Sequence, residues 1–145
     1  LRSSTAEYEQ AQEARTIHEV EAVRLASNRR TPADLMIMQA IIERSRKNLG
    51  EGCNLADDDE AFPLALIAAA KNPILLRISK SLYLMTRSIR HSYFAAAGSG
   101  AQSIKEHSKI LQAVTQRDAP RAARLLQRHY AGSSARWRSV FALDH

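Results

Sequence analysis

The chain has 145 residues and a mass of 16.2 kDa, which is enough for one domain with a buried core. No apolar run approaches the roughly 20 residues needed to span a bilayer, so the composition argues against a membrane protein. The net charge of +6 suits nucleic acid, but basic residues are spread along every segment, which favours solvated helix faces. The single cysteine excludes an internal disulfide and favours a reducing, cytoplasmic setting.

Apolar spacing and helix-breaking residues predict about six helices and no strand. The first helix is predicted over residues 5–27. The second begins at Pro32, with Thr31 as its cap, and ends at Gly50. The third follows a run of aspartates and stops before Pro73.

The fourth helix is predicted over residues 74–97 and stops at the glycine-containing residues 98–100. The fifth is predicted over residues 101–116, and the sixth starts near Pro120 and extends beyond Trp137. Because the loops between the helices are short, neighbouring helices are expected to run in opposite directions. The sequence therefore predicts an all-α fold, an antiparallel bundle of about six helices.

Polar side chains occupy positions on the apolar faces of four of these helices. His107 and His129 continue the apolar spacing of the fifth and sixth helices, and Asp59 and Arg15 do so in the third and first. Each has an ordinary explanation alone: a core histidine bonded to a carbonyl, a capping aspartate, an arginine that reaches solvent. Together they make a metal or anion site inside the bundle an equal alternative, since burying such groups unpaired is costly.

Three stretches of the chain resemble a known family. They are EARTIHEVEAVRLASNRRTPADL (residues 13–35), DEAFPLALIAAAKNPILL (59–76) and EHSKILQAVTQRDAPRAARLLQRHY (106–130). Each motif alone is loose, but their order and spacing are similar to those of the C-terminal, FCD-type effector-binding domain of GntR-family bacterial transcription regulators. The resemblance covers most of the chain.

The resemblance implies one effector-binding and dimerisation domain over residues 1–145, without enzymatic activity. Such a domain forms a homodimer, binds a small organic acid and shifts the DNA affinity of a winged helix-turn-helix domain, which is expected before Leu1. DNA would be contacted only through that attached domain. The family also implies a cytoplasmic protein with no membrane contact.

Many members of this family hold a divalent metal with one aspartate and three histidines. Matched by position, the resemblance assigns Asp59, His107 and His129 as metal ligands and Arg15 as the arginine that reaches the effector carboxylate. Pro63 stands where the remaining histidine belongs, one helical turn after Asp59. Since proline cannot ligate, we expect any zinc, nickel or manganese to be weakly bound or absent.

Pro63 also raises two alternatives for the third helix, because a proline crowds the carbonyl four residues before it. The helix either starts late, near residues 60–62, or bends at Pro63, and both would turn Asp59 partly away from the histidines. His18 is a candidate substitute ligand, since it lies one turn after Arg15. Candidate effector contacts are Arg15, Asp59, Tyr83, Arg87, His107 and His129.

Two other functions remain open at this point. A helical-bundle metalloenzyme would use Asp59, His107 and His129 to hold a catalytic ion, although no general base or nucleophile accompanies them in the motifs. An interaction domain without a ligand is the second alternative. The presence of Arg15 together with both histidines speaks against it, because idle buried charge is expensive.

Overall fold

The computed structural model describes residues 2–97 and 100–141, with side chains for residues 6–95 and 100–141. These parts of the chain form six helices and no strand, which confirms the predicted all-α class. The helices are α1 (Arg2–Arg29), α2 (Pro32–Gly50), α3 (Ala56–Ala68), α4 (Pro73–Ala97), α5 (Gly100–Thr115) and α6 (Ala119–Phe141). Residues 98 and 99, part of the predicted stop of the fourth helix, lie outside the described residues. None of the described helices is long and apolar enough to cross a membrane.

The sequence signals at the start of α2 form a reciprocal cap. Thr31 Oγ1 accepts a hydrogen bond from the Asp34 backbone N–H at 3.2 Å, and Asp34 Oδ2 accepts one from the Thr31 N–H at 2.8 Å. Pro32 occupies the first turn, where its missing N–H costs nothing. Lys71, at the end of the α3 region, pairs with the same Asp34 carboxylate at 2.6 Å. This cap therefore also ties α2 to the turn before α4.

The helices pack around one main apolar core. α1 lies mainly against α6 and α4, α3 against α4 and α2, and α5 against α6 and α2. The core includes the buried side chains of Val23, Phe62, Leu66, Ile110 and Leu126. A smaller aromatic cluster lies beside it, where Tyr8 stacks on Trp137 with ring centroids 4.4 Å apart and Phe141 packs against it. Trp137 is therefore a buried packing residue.

α3 begins at Ala56, so the expected late start near residues 60–62 is wrong. The Asp59 N–H donates to the Leu55 carbonyl at 2.8 Å, which places Asp59 in the first turn rather than at the cap. The helix continues past Pro63, although a proline at that position offers no N–H to the Asp59 carbonyl. The neighbouring helices that pack against α3 hold this segment helical despite the proline.

The three consecutive aspartates of α3 have different surroundings. Asp57 is exposed, as in an ordinary helix start. Asp58 is buried and joins α3 to α2, since it accepts hydrogen bonds from Arg44 Nε and Asn48 Nδ2, each at 2.7 Å. Asp59 turns into the bundle, with 15% of its side chain exposed. Asp57 thus serves the start of the helix, whereas Asp58 and Asp59 place carboxylates between α3 and its neighbours.

Candidate functional site

Three metal-ligand-type side chains meet between α3, α5 and α6. Asp59, His107 and His129 each offer a donor atom, and these atoms lie within 4.8 Å of one another. His107 Nε2 lies 3.2 Å from His129 Nε2 and 3.8 Å from Asp59 Oδ1. The two histidines are only 4% and 3% exposed. The structure therefore brings these three candidate residues together inside the bundle.

The His107 ring is enclosed by other rings. Phe62 stacks on one face with centroids 4.4 Å apart, and the His129 ring meets it edge-on at 4.7 Å. Burial and the neighbouring His129 lower the pKa of His107 to about 3, although the Asp59 carboxylate opposes them. His107 is therefore neutral at pH 7, with one ring nitrogen able to accept a hydrogen bond or bind a ligand.

His129 is oriented by a carboxylate on the opposite side of its ring. His129 Nδ1 lies 2.6 Å from Glu106 Oε1, and Gln102 and Arg136 also contact the Glu106 carboxylate. Burial would raise the pKa of Glu106, but its hydrogen bonds from His129 and Gln102 lower it to about 2. An Nδ1–H that donates to Glu106 leaves the Nε2 lone pair directed at His107 and Asp59.

Asp59 is held by a buried arginine and by a serine. Arg90 Nη2 lies 2.8 Å from Asp59 Oδ2, and Ser103 Oγ donates to Asp59 Oδ1. Burial would raise the pKa of Asp59, but Arg90 and the nearby His107 lower it well below its usual range. Asp59 is therefore an ionised carboxylate whose two oxygens both have protein partners.

Arg15 lies on the inner face of α1, and no carboxylate of the described residues forms an ion pair with it. The residue is 6% exposed, and its guanidinium carbon lies 4.0 Å from the Tyr130 ring centroid and 4.9 Å from that of Tyr83. Its Nε has no hydrogen-bond partner, and Arg15 forms no ion pair with any residue that the structure describes. Two aromatic rings stabilise this cation, but they do not neutralise it.

Glu19, one turn after Arg15, is bound by the same two tyrosines. Glu19 is fully buried, and its Oε1 accepts hydrogen bonds from Tyr83 Oη at 3.2 Å and from Tyr130 Oη. Its other oxygen, Oε2, has no partner among the described residues, and neither does the side-chain amide nitrogen of Gln12. Since buried polar groups are normally paired, this face of α1 is suited to a polar ligand.

The open space near these residues lies mostly on the α1 side. A groove of about 430 Å³ between α1 and α6 is lined in part by Gln12, Thr16, Tyr130 and Trp137. The cavity beside Asp59 and the histidines holds only about 10 Å³. The groove therefore reaches Gln12, which lies one turn before Arg15. It also reaches Tyr130, whose ring lies against the Arg15 guanidinium. A ligand could approach Arg15 from this side.

Two candidate residues lie away from this cluster. Arg87 is on the surface, with 48% of its side chain exposed, and it pairs with Glu60 at 2.9 Å. His18 is half-buried, and its Nε2 lies 2.9 Å from the Leu75 carbonyl oxygen, so its ring joins α1 to α4. The structure thus leaves Arg87 and His18 outside the group formed by Asp59, His107 and His129.

Three residues of the site were not among the candidates. Arg87 lies one helical turn after Tyr83 and Arg90 lies two turns after it, so both share a face with Tyr83. Helical spacing alone therefore does not decide which of the two arginines is buried. Glu106 directly precedes His107 and is a turn after Gln102, which is a weak signal for a partner of His129. Nothing in the sequence marks Ser103 as a partner of Asp59.

Asp59, His107 and His129 form a group of donors that could hold a divalent metal ion. The separation of the histidine Nε2 atoms and the Glu106 contact to His129 Nδ1 both suit such a site. The family pattern, however, has a fourth protein ligand at the position of Pro63, which cannot supply one. Both Asp59 oxygens are also engaged, so these residues do not fit a firmly held metal.

The FCD domain family matches residues 10–132 of this chain. Among solved structures, the chain is similar to E. coli McbR/YncC with a TM-score of 0.81 and 21% sequence identity. The similarity covers 90% of this chain and 64% of that protein, so the chain spans less than two thirds of its length. At this level of identity the similarity concerns the fold alone. No curated protein matches the sequence.

Proposed function

Because this chain belongs to the FCD domain family, as its sequence motifs predict, we propose that it is the ligand-sensing domain of a bacterial transcription regulator. It binds a small organic acid inside the bundle and thereby changes the DNA affinity of an attached winged helix-turn-helix domain. Ligand binding acts by favouring one arrangement of a homodimer over another. Such a regulator works in the cytoplasm, where its DNA is.

The guanidinium of Arg15, which forms no ion pair with a residue that the structure describes, carries this proposal. A buried cation without a carboxylate is costly, and a guanidinium fork matches the geometry of a carboxylate. Glu19 lies nearby and its charge stabilises the Arg15 cation, but its hydrogen bonds come from Tyr83 and Tyr130 and it forms no ion pair with Arg15. The carboxylate of an organic acid gives Arg15 the partner that the described part of the chain does not provide.

The other contacts of the ligand come from the groups around Arg15. We assign these contacts to the amide of Gln12, the hydroxyl of Tyr83, and the rings of His107 and His129. These groups combine hydrogen-bond donors with neutral acceptors, which suits a sugar acid, an amino acid or a short dicarboxylate. Arg87 is left out of this proposed site because it is on the surface.

A tightly bound metal is not part of the proposed mechanism. Asp59, His107 and His129 are three donors where the family pattern has four, and Pro63 stands at the missing position. The loss of one ligand usually costs much of the affinity of a metal site. In this proposal the histidines either contact the organic acid directly or bond to water.

The alternative of a helical-bundle metalloenzyme is not favoured. It requires a firmly held ion at Asp59, His107 and His129, whereas Arg90 already pairs with the Asp59 carboxylate. Membership of the FCD family also supports a regulatory role rather than catalysis.

A thermal-shift screen of organic acids on protein treated with a chelator tests the proposal. At about 100 times its dissociation constant, the correct acid should raise the melting temperature by about 5 °C or more. Arg15→Ala should lose this shift, whereas Arg87→Ala, a surface arginine, should keep it. Circular dichroism would confirm that both variants are folded. A full shift in Arg15→Ala would show that its assigned role is wrong.

A further inference from the structure

Arg90 is a buried cation at the centre of the polar cluster. Only 5% of its side chain is exposed, although arginines on helices usually reach solvent. Its Nη2 lies 2.8 Å from Asp59 Oδ2, its Nη1 lies 3.5 Å from Glu60 Oε1, and its guanidinium carbon lies 5.1 Å from the Tyr83 ring centroid. Arg90 of α4 therefore places a positive charge beside the Asp59 carboxylate of α3.

This charge lies on the carboxylate that a metal ion would use, although at Oδ2, while Oδ1 is the oxygen that faces His107. The Asp59 carboxylate is within 3.8 Å of His107 Nε2, so it belongs to the donor group described above. Arg90 occupies one of its oxygens and Ser103 the other. A guanidinium this close repels a divalent cation, and the repulsion is strong because the site is poorly solvated.

We infer that Arg90 takes the electrostatic place of the metal ion in this domain. It keeps the Asp59 carboxylate paired and in position, so that the organic-acid site at Arg15 forms without a metal. Two features of the chain then belong together: Pro63 cannot act as a ligand, and Arg90 supplies the charge that the ion would have supplied. The role of Arg90 in forming the organic-acid site rests on the proposed function. Its effect on zinc binding at Asp59 does not.

A zinc titration of the purified chain without any organic acid tests this inference. Zinc affinity would be measured by competition with a fluorescent chelator for the wild type, Arg90→Gln and Arg87→Gln. Arg90→Gln should bind zinc at least about tenfold more tightly than the wild type, since it frees Asp59 and removes a repelling charge. Arg87→Gln is the matched control, because it removes the same charge from the same helix and from the same partner, Glu60.

Two results would overturn the inference. One is an unchanged zinc affinity in Arg90→Gln, and the other is an equal gain in Arg87→Gln, which would mean that only the total charge matters. In the double variant Arg90→Gln with Asp59→Asn, the gain should disappear, because the freed carboxylate is then missing. A gain that persists in this double variant would contradict the assigned role of Asp59.

The stability of Arg90→Gln gives a second test, which also covers the case of a variant that unfolds. Without Arg90, the largely buried Asp59 carboxylate loses its ion pair and keeps the hydrogen bond from Ser103, so the melting temperature should fall. Added zinc should restore it in Arg90→Gln and leave Arg87→Gln unchanged. No recovery with zinc would count against the inference.

These measurements do not depend on the identity of the organic acid. If Arg90→Gln gains zinc affinity while no acid stabilises the chain, the inference stands and the proposed function fails. If an acid stabilises the chain through Arg15 while Arg90→Gln gains nothing, the proposed function stands and the inference fails.

Discussion

Two guanidinium groups flank the ring of Tyr83 inside the bundle. The guanidinium carbons of Arg15 and Arg90 lie 4.9 Å and 5.1 Å from its centroid. Only Arg90 has carboxylate partners among the described residues, Asp59 and Glu60. The two arginines therefore have different roles: Arg90 balances a charge of the protein itself, and Arg15 is available for the charge of a ligand.

The neutral His107 makes the stability of the domain depend on pH. Its pKa in the folded chain is lowered to about 3 from an ordinary 6.5, so between these values the unfolded chain binds a proton that the folded chain does not. The contribution of His107 is fully present above about pH 6.5 and is lost as the pH falls towards about 3. Thermal melts with a chelator present should show lower melting temperatures at pH 5 than at pH 7.

His107→Gln should weaken this pH dependence by roughly 1 kcal/mol per pH unit within that range. His91→Gln is the control, since it removes a histidine that lies on the surface with 43% of its side chain exposed. A pH dependence that is the same in His107→Gln and in the wild type would show that the pKa of His107 is not lowered in the folded chain.

For single residues, the sequence predicts which side chains face the core where helical spacing alone determines it. The inward positions of His107 and His129 follow from the period of an amphipathic helix. The choice between Arg87 and Arg90 does not, because both are near Tyr83 in the same helix, and the packing of α4 against α3 decides which of them is buried. Glu106 was missed for the same reason, since its partner is on another helix.

At the scale of elements, α3 shows tertiary packing overriding a local signal. A proline inside a helix removes a hydrogen bond and clashes with the preceding turn, which predicts a late start or a bend. α3 begins at Ala56, so the late start is wrong, and the helix continues past Pro63. Phe62, Leu66 and Ile67 are buried on both sides of Pro63, and this burial holds the segment in a helix.

Pro63→Ala should therefore stabilise the domain, since it restores a donor for the Asp59 carbonyl and removes the clash. We expect the free energy of unfolding to rise by about 1 kcal/mol, because part of the gain is offset by greater freedom of the unfolded chain. Urea denaturation measures this change. A decrease in stability would mean that the buried proline ring contributes more packing than the helix loses.

At the scale of the whole molecule, α4 carries an exposed apolar stripe. Ile74, Ile78 and Met85 lie on one face at steps of four and seven, and they are 62%, 43% and 54% exposed. Ile17 of α1 is 68% exposed, and the neighbouring His18 contacts the start of α4 at Leu75. Such a stripe is suited to burial against a second copy of the chain about a two-fold axis, as the proposed homodimer requires.

Ile78→Glu should therefore weaken the proposed dimer, because it places a charge in the middle of this stripe. Sedimentation velocity over a range of concentrations would follow the change from dimer to monomer. Met36→Glu is the matched control, since Met36 is 74% exposed but lies on α2, away from the stripe. A wild type that stays monomeric, or two variants that dimerise equally well, would contradict this assignment.

Binding of an organic acid at Arg15 without a metal is the property from which the proposed function follows. The most direct measurement is calorimetric titration of the acid found in the thermal-shift screen into chelator-treated wild type and Arg15→Ala. We predict one acid bound per chain in the wild type, unchanged by added zinc, and at least about a hundredfold weaker binding in Arg15→Ala. Binding that appears only after zinc is added, or that survives in Arg15→Ala, would contradict the claim.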